Sequence, residues 1–194
     1  DWNEWLHIIT RWVHVFAGIL WIGTTYFFTW LDGRFHELSD QAKGVSGEDK
    51  VWMVHSGGFY VVGKQAKTSL LTTKMHWFKW EAAITWISGM VLLVLVYYTG
   101  GLLVDTMYDE TTSILIGLGS LVVAWLVYDS LWNSALGSHE RLAVAVSFLF
   151  AVGAIYAFSK VYGGRTAYMQ AGAMFGTLMT ANVWVRILPG QRKM

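Results

Sequence analysis

The sequence predicts an all-α membrane protein, a bundle of five transmembrane helices, and three observations carry that prediction. Five long apolar stretches divide the chain, hydrophobic residues make up 55% of it, and it contains one proline and no cysteine. A helix needs about 20 residues to cross a hydrocarbon core about 30 Å thick, and each stretch reaches that length. Because backbone amides in lipid must be hydrogen-bonded within their own segment, we predict that these stretches are helices.

The five spans are expected to form a single integral membrane domain over residues 1–194, with one long loop between the first span and the second. The spans are residues 5–31, 76–99, 113–136, 142–162 and 166–188, and the loop is residues 32–75. Within the loop, two β-prone runs, Val51–His55 and Phe59–Gly63, flank Ser56-Gly57-Gly58. This pattern predicts either a hairpin on the inner membrane face or a plain interfacial loop with a turn at the glycines.

The composition excludes several classes of protein. The chain has 14 Lys and Arg against 13 Asp and Glu, so it lacks the strongly basic balance of nucleic-acid-binding proteins. The absence of cysteine excludes disulfides, iron–sulfur clusters, cysteine-based zinc sites and a covalently attached c-type haem, and we predict no metal site. Twelve Trp and nine Tyr fit the aromatic belts of a protein whose surface contacts membrane lipids.

The distribution of basic residues predicts how the bundle is oriented. The segment 32–74 holds six lysines and arginines, whereas the turn Gly100–Thr112 holds none. Because positive charge is enriched in cytoplasmic loops, the long loop and the C-terminus are placed in the cytoplasm and the N-terminus in the periplasm. Lys160 and Arg165 go against this rule.

Polar residues inside the first span call for an explanation, since a charged side chain there costs about 2.5–3.5 kcal/mol. His7, Arg11 and His14 share one helical face. His14 is expected about 7 Å outside the membrane midplane, taken at Ile19. An imidazole at that depth suits an axial haem ligand or a proton-handling group, and a histidine hydrogen-bonded to a neighbouring helix is the alternative.

A second set of polar residues is predicted at the cytoplasmic end of the bundle. The second span opens with His76, Lys79 and Glu81. Polar groups of the later spans reach the same level: Tyr128, Asp129, Trp132, Asn133, His139, Glu140, Arg141, Asn182 and Arg186. This set predicts either a substrate or quinone pocket or a salt-bridged cap that ties the helix ends together.

The depths of the histidines limit how a b-type haem could be bound. With the centre of the second span taken at Ile87, His14 and His76 are expected to be about 24 Å apart along the membrane normal, too far to share one iron. A bis-histidine haem would have to use His76 with His139, and a haem on His14 would need Met174, another weak ligand or an open position. Small residues at Gly117-Leu118-Gly119-Ser120 predict close helix packing or a place for a flat cofactor.

Several motifs, taken in order along nearly the whole chain, resemble one family. They are the run Arg11–Gly23 (RWVHVFAGILWIG), His55–Tyr60 (HSGGFY), His76–Glu81 (HWFKWE), Tyr128-Asp129, Ala181-Asn182-Val183 and Leu188–Lys193 (LPGQRK). Together they are similar to the N-terminal transmembrane domain of the bacterial membrane-bound urate oxidases. The resemblance implies a redox role, because members of that family have a membrane domain of about eight helices followed by a cytochrome c domain, and urate is oxidised with electrons leaving through that cytochrome.

The resemblance leaves three functions open. The chain departs from the family pattern, with five predicted spans and no C-x-x-C-H haem site, which favours an accessory, structural or electron-relay subunit of a respiratory or photosynthetic membrane complex. A shortened urate oxidase that passes electrons to a separate cytochrome c is the second function, with catalytic candidates His76, Lys79, Glu81, Asp129 and Asn182. A carrier that uses His14, either with b haem or linked to protons, is the third.

Overall fold

A computed structural model describes residues 1–41, 50–64 and 76–193, and most of these residues are helical. The helices are α1 (Trp2–Gln41), α2 (Trp80–Leu92), α3 (Glu110–Asn133), α4 (Glu140–Val161), α5 (Gly164–Ala181) and α6 (Leu188–Gln191). Two strands, β1 (Lys50–His55) and β2 (Gly58–Gly63), form one antiparallel sheet. π-Helical segments continue α2 over Leu93–Tyr98 and α5 over Asn182–Ile187, and a 3₁₀ turn, Ala135–Ser138, precedes α4.

Four of the described helices are long and apolar enough to cross a membrane: α1, α2 with its π-helical extension, α3 and α4. The fifth predicted span forms α5 and its extension, but this helix is less apolar than the other four. Its polar residues Thr166, Gln170 and Thr180 are buried, and α5 packs against α2, α3 and α4. A helix surrounded by other helices meets little lipid, so it tolerates small and polar residues that a lipid-facing helix does not.

The chain divides into two compact units. The helical unit contains Asp1–Gly18 and Lys79–Met194, and the hairpin unit contains Ile19–Phe78. The expectation of a single membrane domain over residues 1–194 stays a prediction.

The core of the helical unit lies between α3, α4 and α5. Seven buried residues from these helices, or next to them, form its main cluster: Leu121, Ala124, Phe158, Tyr162, Ala167, Ala171 and Met174. The three alanines let the helices approach closely, and Met174, 1% exposed, fills the space between them. Helix α2 joins this group through a hydrogen bond from Trp86 Nε1 to Thr177 Oγ1 of α5, 2.9 Å long.

The hairpin predicted in the long loop is confirmed. Val51 pairs with Val62 and His55 with Gly58, so two residues, Ser56 and Gly57, make the turn. Both have positive φ, +49° and +78°, which is the conformation of a type I′ turn and follows the right-handed twist of the strands. The all-α prediction therefore holds for the helices and omits this small sheet.

The first helix is longer than the sequence predicted. The first span was expected to end at Leu31, but α1 continues to Gln41. Leu31 and Phe35 are buried against Val51 of the hairpin, and Leu38 packs at the edge of this cluster. Their 4- and 3-residue spacing places them on one helical face, so contact with the hairpin stabilises helix in a segment read as an irregular polar loop.

Candidate functional site

Asp129 and Arg186 form a bidentate ion pair between α3 and the extension of α5. Arg186 donates from Nε to Oδ1 at 2.6 Å and from Nη2 to Oδ2 at 2.5 Å. Both carboxylate oxygens of Asp129 therefore accept from one guanidinium, in the geometry that makes Arg–carboxylate pairs strong and specific. Asn133, one turn further along α3, donates from Nδ2 to the main-chain carbonyl of Asp129 at 2.6 Å.

Lys79 lies between two tryptophan rings at the same end of the helical unit. Its Nζ is 5.4 Å from the ring centre of Trp80 and 5.7 Å from that of Trp184, distances at which an ammonium is attracted to an aromatic face. The two rings contact each other edge to face, 5.8 Å apart. Because Trp80 begins α2 and Trp184 lies in the extension of α5, this stack joins the ends of those two helices.

Glu81 and Asn182 each lie at the start of a helical segment. Glu81 lies half-buried in the first turn of α2, where the helix dipole favours a negative charge. Asn182 begins the π-helical segment of α5. That wide turn precedes Pro189, which cannot donate a backbone hydrogen bond and would clash with a carbonyl of a regular α-helix. We attribute the π-helical turn to Pro189, and this turn carries Trp184 and Arg186 to their partners.

His14 is hydrogen-bonded to a neighbouring helix. Its Nδ1 is 2.9 Å from the carbonyl oxygen of Thr85 and 3.2 Å from Ser88 Oγ. A carbonyl oxygen can only accept, so the proton of the 2.9 Å bond is on Nδ1. The ring lies against Gly89, where a Cβ would come within 2.9 Å of Cε1.

This contact changes the depth expected for His14. Thr85 and Ser88 flank Ile87, the predicted centre of the second span, so His14 is level with that residue. The expected depth of about 7 Å assumed a midplane at Ile19, and the position of the membrane itself stays a prediction. The distance between His14 and His76 stays a prediction.

A haem on His14 also stays a prediction. A histidine that ligates a metal usually donates its other ring N–H to a carbonyl or carboxylate, as Nδ1 does here, so Nε2 is oriented as a ligand would be. The same bond is equally typical of a structural histidine. Met174, the second ligand considered for such a haem, packs among apolar residues of α3, α4 and α5, whereas His14 contacts α2.

His76 and His139 are in different units. His76, in the hairpin unit, contacts Phe78 edge to face with ring centres 4.6 Å apart. His139, in the helical unit, immediately precedes α4, and its Nδ1 is 3.2 Å from Ser138 Oγ. A haem shared by these two histidines is untested. In the described parts of the chain, no three His, Asp or Glu side chains come together in a way that could hold a metal ion.

A buried polar cluster that the sequence motifs did not predict lies at the other end of the helical unit. Gln170 is 1% exposed, and its Nε2 donates to the carbonyl of Gly117 at 2.7 Å. Tyr98 donates from its hydroxyl to Gln170 Oε1 at 3.3 Å, and Tyr162 donates to the carbonyl of Ser113 at 2.7 Å. These bonds join the ends of α2, α3, α4 and α5, and Gly117 packs closely against them. A flat cofactor beside these small residues stays a prediction.

Comparison with known proteins identifies the family. The urate oxidase N-terminal family matches residues 1–194, the whole chain. The chain belongs to this family. No curated protein and no solved structure matches it.

Membership of the urate oxidase N-terminal family confirms the resemblance drawn from the motifs. The structure adds what two of those motifs do. In the run Arg11–Gly23, His14 and Gly18 face Thr85 on α2. In the run His76–Glu81, Lys79 reaches α5 through Trp184. Both motifs therefore supply contacts between helices.

Proposed function

We propose that this member of the urate oxidase N-terminal family is a multi-pass subunit of a larger bioenergetic complex, respiratory or photosynthetic, in the bacterial inner membrane. Its role there is accessory and structural, or that of an electron relay. The observation that carries the proposal is the ion pair of Asp129 with Arg186, in which both carboxylate oxygens are taken by one guanidinium.

The candidate catalytic groups are engaged in contacts between helices. A general acid or base must be within reach of a proton on its substrate, and a substrate-binding cation must present its charge to the substrate. Asp129 instead holds α3 to α5, and Lys79 holds its ammonium between the rings of Trp80 and Trp184. These contacts favour the salt-bridged cap over the substrate or quinone pocket.

The proposed topology places this cap in the cytoplasmic leaflet. The start of α2 and the ends of α3 and α5 meet there through the contacts of Lys79, Asp129 and Arg186. Successive spans cross the membrane in opposite directions, so these three helix ends are expected on the same side. The N-terminus is then periplasmic and the C-terminus cytoplasmic. Partners are other membrane subunits, and a separate cytochrome c is the natural electron acceptor for a relay.

The test is to purify the chain in mild detergent and to follow urate oxidation with an added c-type cytochrome as acceptor. We expect no urate-dependent cytochrome reduction by the isolated chain, and co-purification with other membrane subunits in fixed ratio. Turnover by the isolated chain that is lost in Lys79→Ala or Glu81→Gln, but kept in the matched variant Lys160→Ala, would show a shortened urate oxidase instead.

A proton-linked or haem-linked carrier is the second candidate function, and the environment of His14 favours it. On the same face of α1, His7 Nδ1 is buried and has no hydrogen-bond partner among the described residues, and Thr10 is buried between the two histidines. This row of polar groups reaches Ser88 through His14. A visible spectrum with the Soret band of a b haem, lost in His14→Ala, would favour this carrier over the accessory subunit.

A further inference from the structure

One face of the β-hairpin is apolar and exposed. The strand register pairs Trp52 with Val61 and Val54 with Phe59, and these four side chains point to the same side of the sheet. They are 69%, 44%, 68% and 81% exposed, respectively. A half-buried hairpin normally carries polar residues on its outward side, so an outward side of Trp, Val, Val and Phe departs from that pattern.

The opposite face of the hairpin packs against α1 near the open end, and Tyr60 on the same face is 52% exposed. Val51 is 6% exposed and packs with Leu31 and Phe35 of α1, and Met53 and Val62 contribute to the same cluster. Lys64, which follows β2, forms an ion pair with Asp32 at 2.6 Å. The hairpin is thus held to α1 by its inner face and by its open end, and its orientation on that helix is fixed.

The chemistry next to the hairpin indicates what covers the outward face. Just before Asp32, α1 carries an exposed aromatic group: Tyr26, Phe27, Phe28 and Trp30 are 40–74% exposed. Aromatic side chains of this kind line the boundary between hydrocarbon and headgroups. A helix of 40 residues rises about 60 Å, twice the hydrocarbon thickness, so its polar C-terminal part with the hairpin lies outside the hydrocarbon core.

We propose that the outward face, Trp52, Val54, Phe59 and Val61, lies in the headgroup layer of the same bilayer that α1 crosses, and that its partner is the lipid surface. The face continues the aromatic belt of α1 within one compact unit. It presents the combination that membrane interfaces favour: large apolar and aromatic side chains on the face, with lysines at its open end. The hairpin then acts as a second membrane anchor in addition to the transmembrane helices. This inference rests on the membrane insertion in the proposed function.

The absence of cysteine makes a direct test simple. Single-cysteine variants Val54→Cys and Phe59→Cys are labelled with an environment-sensitive fluorophore and placed in nanodiscs of phosphatidylcholine and phosphatidylglycerol. Two matched variants set the scale: Val15→Cys on the lipid-facing side of α1, and Ser39→Cys on its exposed polar end. Each is quenched with a lipid that carries a nitroxide near the headgroup, with a second lipid that carries the nitroxide deep in its acyl chain, and separately with aqueous iodide.

We expect the labels at Val54 and Phe59 to be quenched several-fold more by the headgroup nitroxide lipid than the label at Ser39, and to emit at shorter wavelength. If they are quenched by iodide and by neither lipid, while Val15 is quenched by the acyl-chain nitroxide, the hairpin inference is wrong and membrane insertion stands. If no quencher reaches them, protein covers the face and the inference is also wrong. If Val15 is quenched by neither lipid, insertion itself fails, and the inference fails with it.

Discussion

Replacing Gly117 by alanine should destabilise the helical unit, because a Cβ at this position has no room. It would lie 2.6 Å from the hydroxyl of Tyr98, 3.2 Å from that of Tyr162 and 3.3 Å from Gln170 Oε1. Displacing Tyr98 breaks its hydrogen bond to Gln170, worth about 1 kcal/mol. Overpacking adds about 1–3 kcal/mol, and the better helix propensity of alanine returns about 1 kcal/mol. The net loss in the free energy of unfolding is therefore about 1–3 kcal/mol.

Gly119 provides the matched control in the same helix, since no atom lies within 4 Å of the Cβ it would gain. Gly119→Ala should leave the free energy of unfolding unchanged or raise it by up to about 1 kcal/mol. Equilibrium unfolding of both variants in mixed micelles, followed by far-ultraviolet circular dichroism, measures the difference. Equal stability of the two variants would refute the close packing of Tyr98, Tyr162 and Gln170 around Gly117.

Three further predictions concern single positions. Gly89→Ala should push the ring of His14 away from α2, so amide hydrogen exchange in the first half of α1 should speed up, and slow exchange there would contradict the contact. Hydrogen bonds from the side chain and backbone of Thr112 hold the pKa of the Asp109 carboxyl below its ordinary value. The stability that this cap gives α3 is therefore fully present above the ordinary pKa, and it is lost as the pH falls through the lowered pKa. As the pH is lowered, the free energy of unfolding should fall further for the wild type than for Asp109→Ala, which lacks the cap. Parallel pH dependences of the two proteins would contradict this prediction. Gly57→Ala should weaken the hairpin by about 1–2 kcal/mol because φ there is +78°, and unchanged proteolysis of the loop would argue against the turn.

The elements that local sequence determines were predictable. The hairpin was found because two β-prone runs flank a Ser-Gly turn, and both its strands and its turn are confirmed. The continuation of α1 past Leu31 was missed because only Phe35 and Leu38 mark it within a polar segment. That signal becomes clear once the hairpin that packs on these residues is known.

The contacts between helices were less predictable, because they depend on how the helices pack. Asp129 and Arg186 were placed at one end of the bundle from the order of the spans, but their pairing required the positions of α3 and α5. Gln170 was overlooked, although an amide within an apolar segment is costly unless it is hydrogen-bonded, and that cost could have marked it as a link between helices.

The claim that the candidate catalytic groups hold helices together is tested most directly by a double-mutant cycle on Asp129 and Arg186. Asp129→Asn, Arg186→Gln and the double variant are compared by equilibrium unfolding in mixed micelles. We predict that each single change lowers stability and that the double variant loses less than the sum of the two, because both single changes break the same bidentate contact. The claim would be contradicted if neither single change lowered the free energy of unfolding and the effects of the two changes were strictly additive.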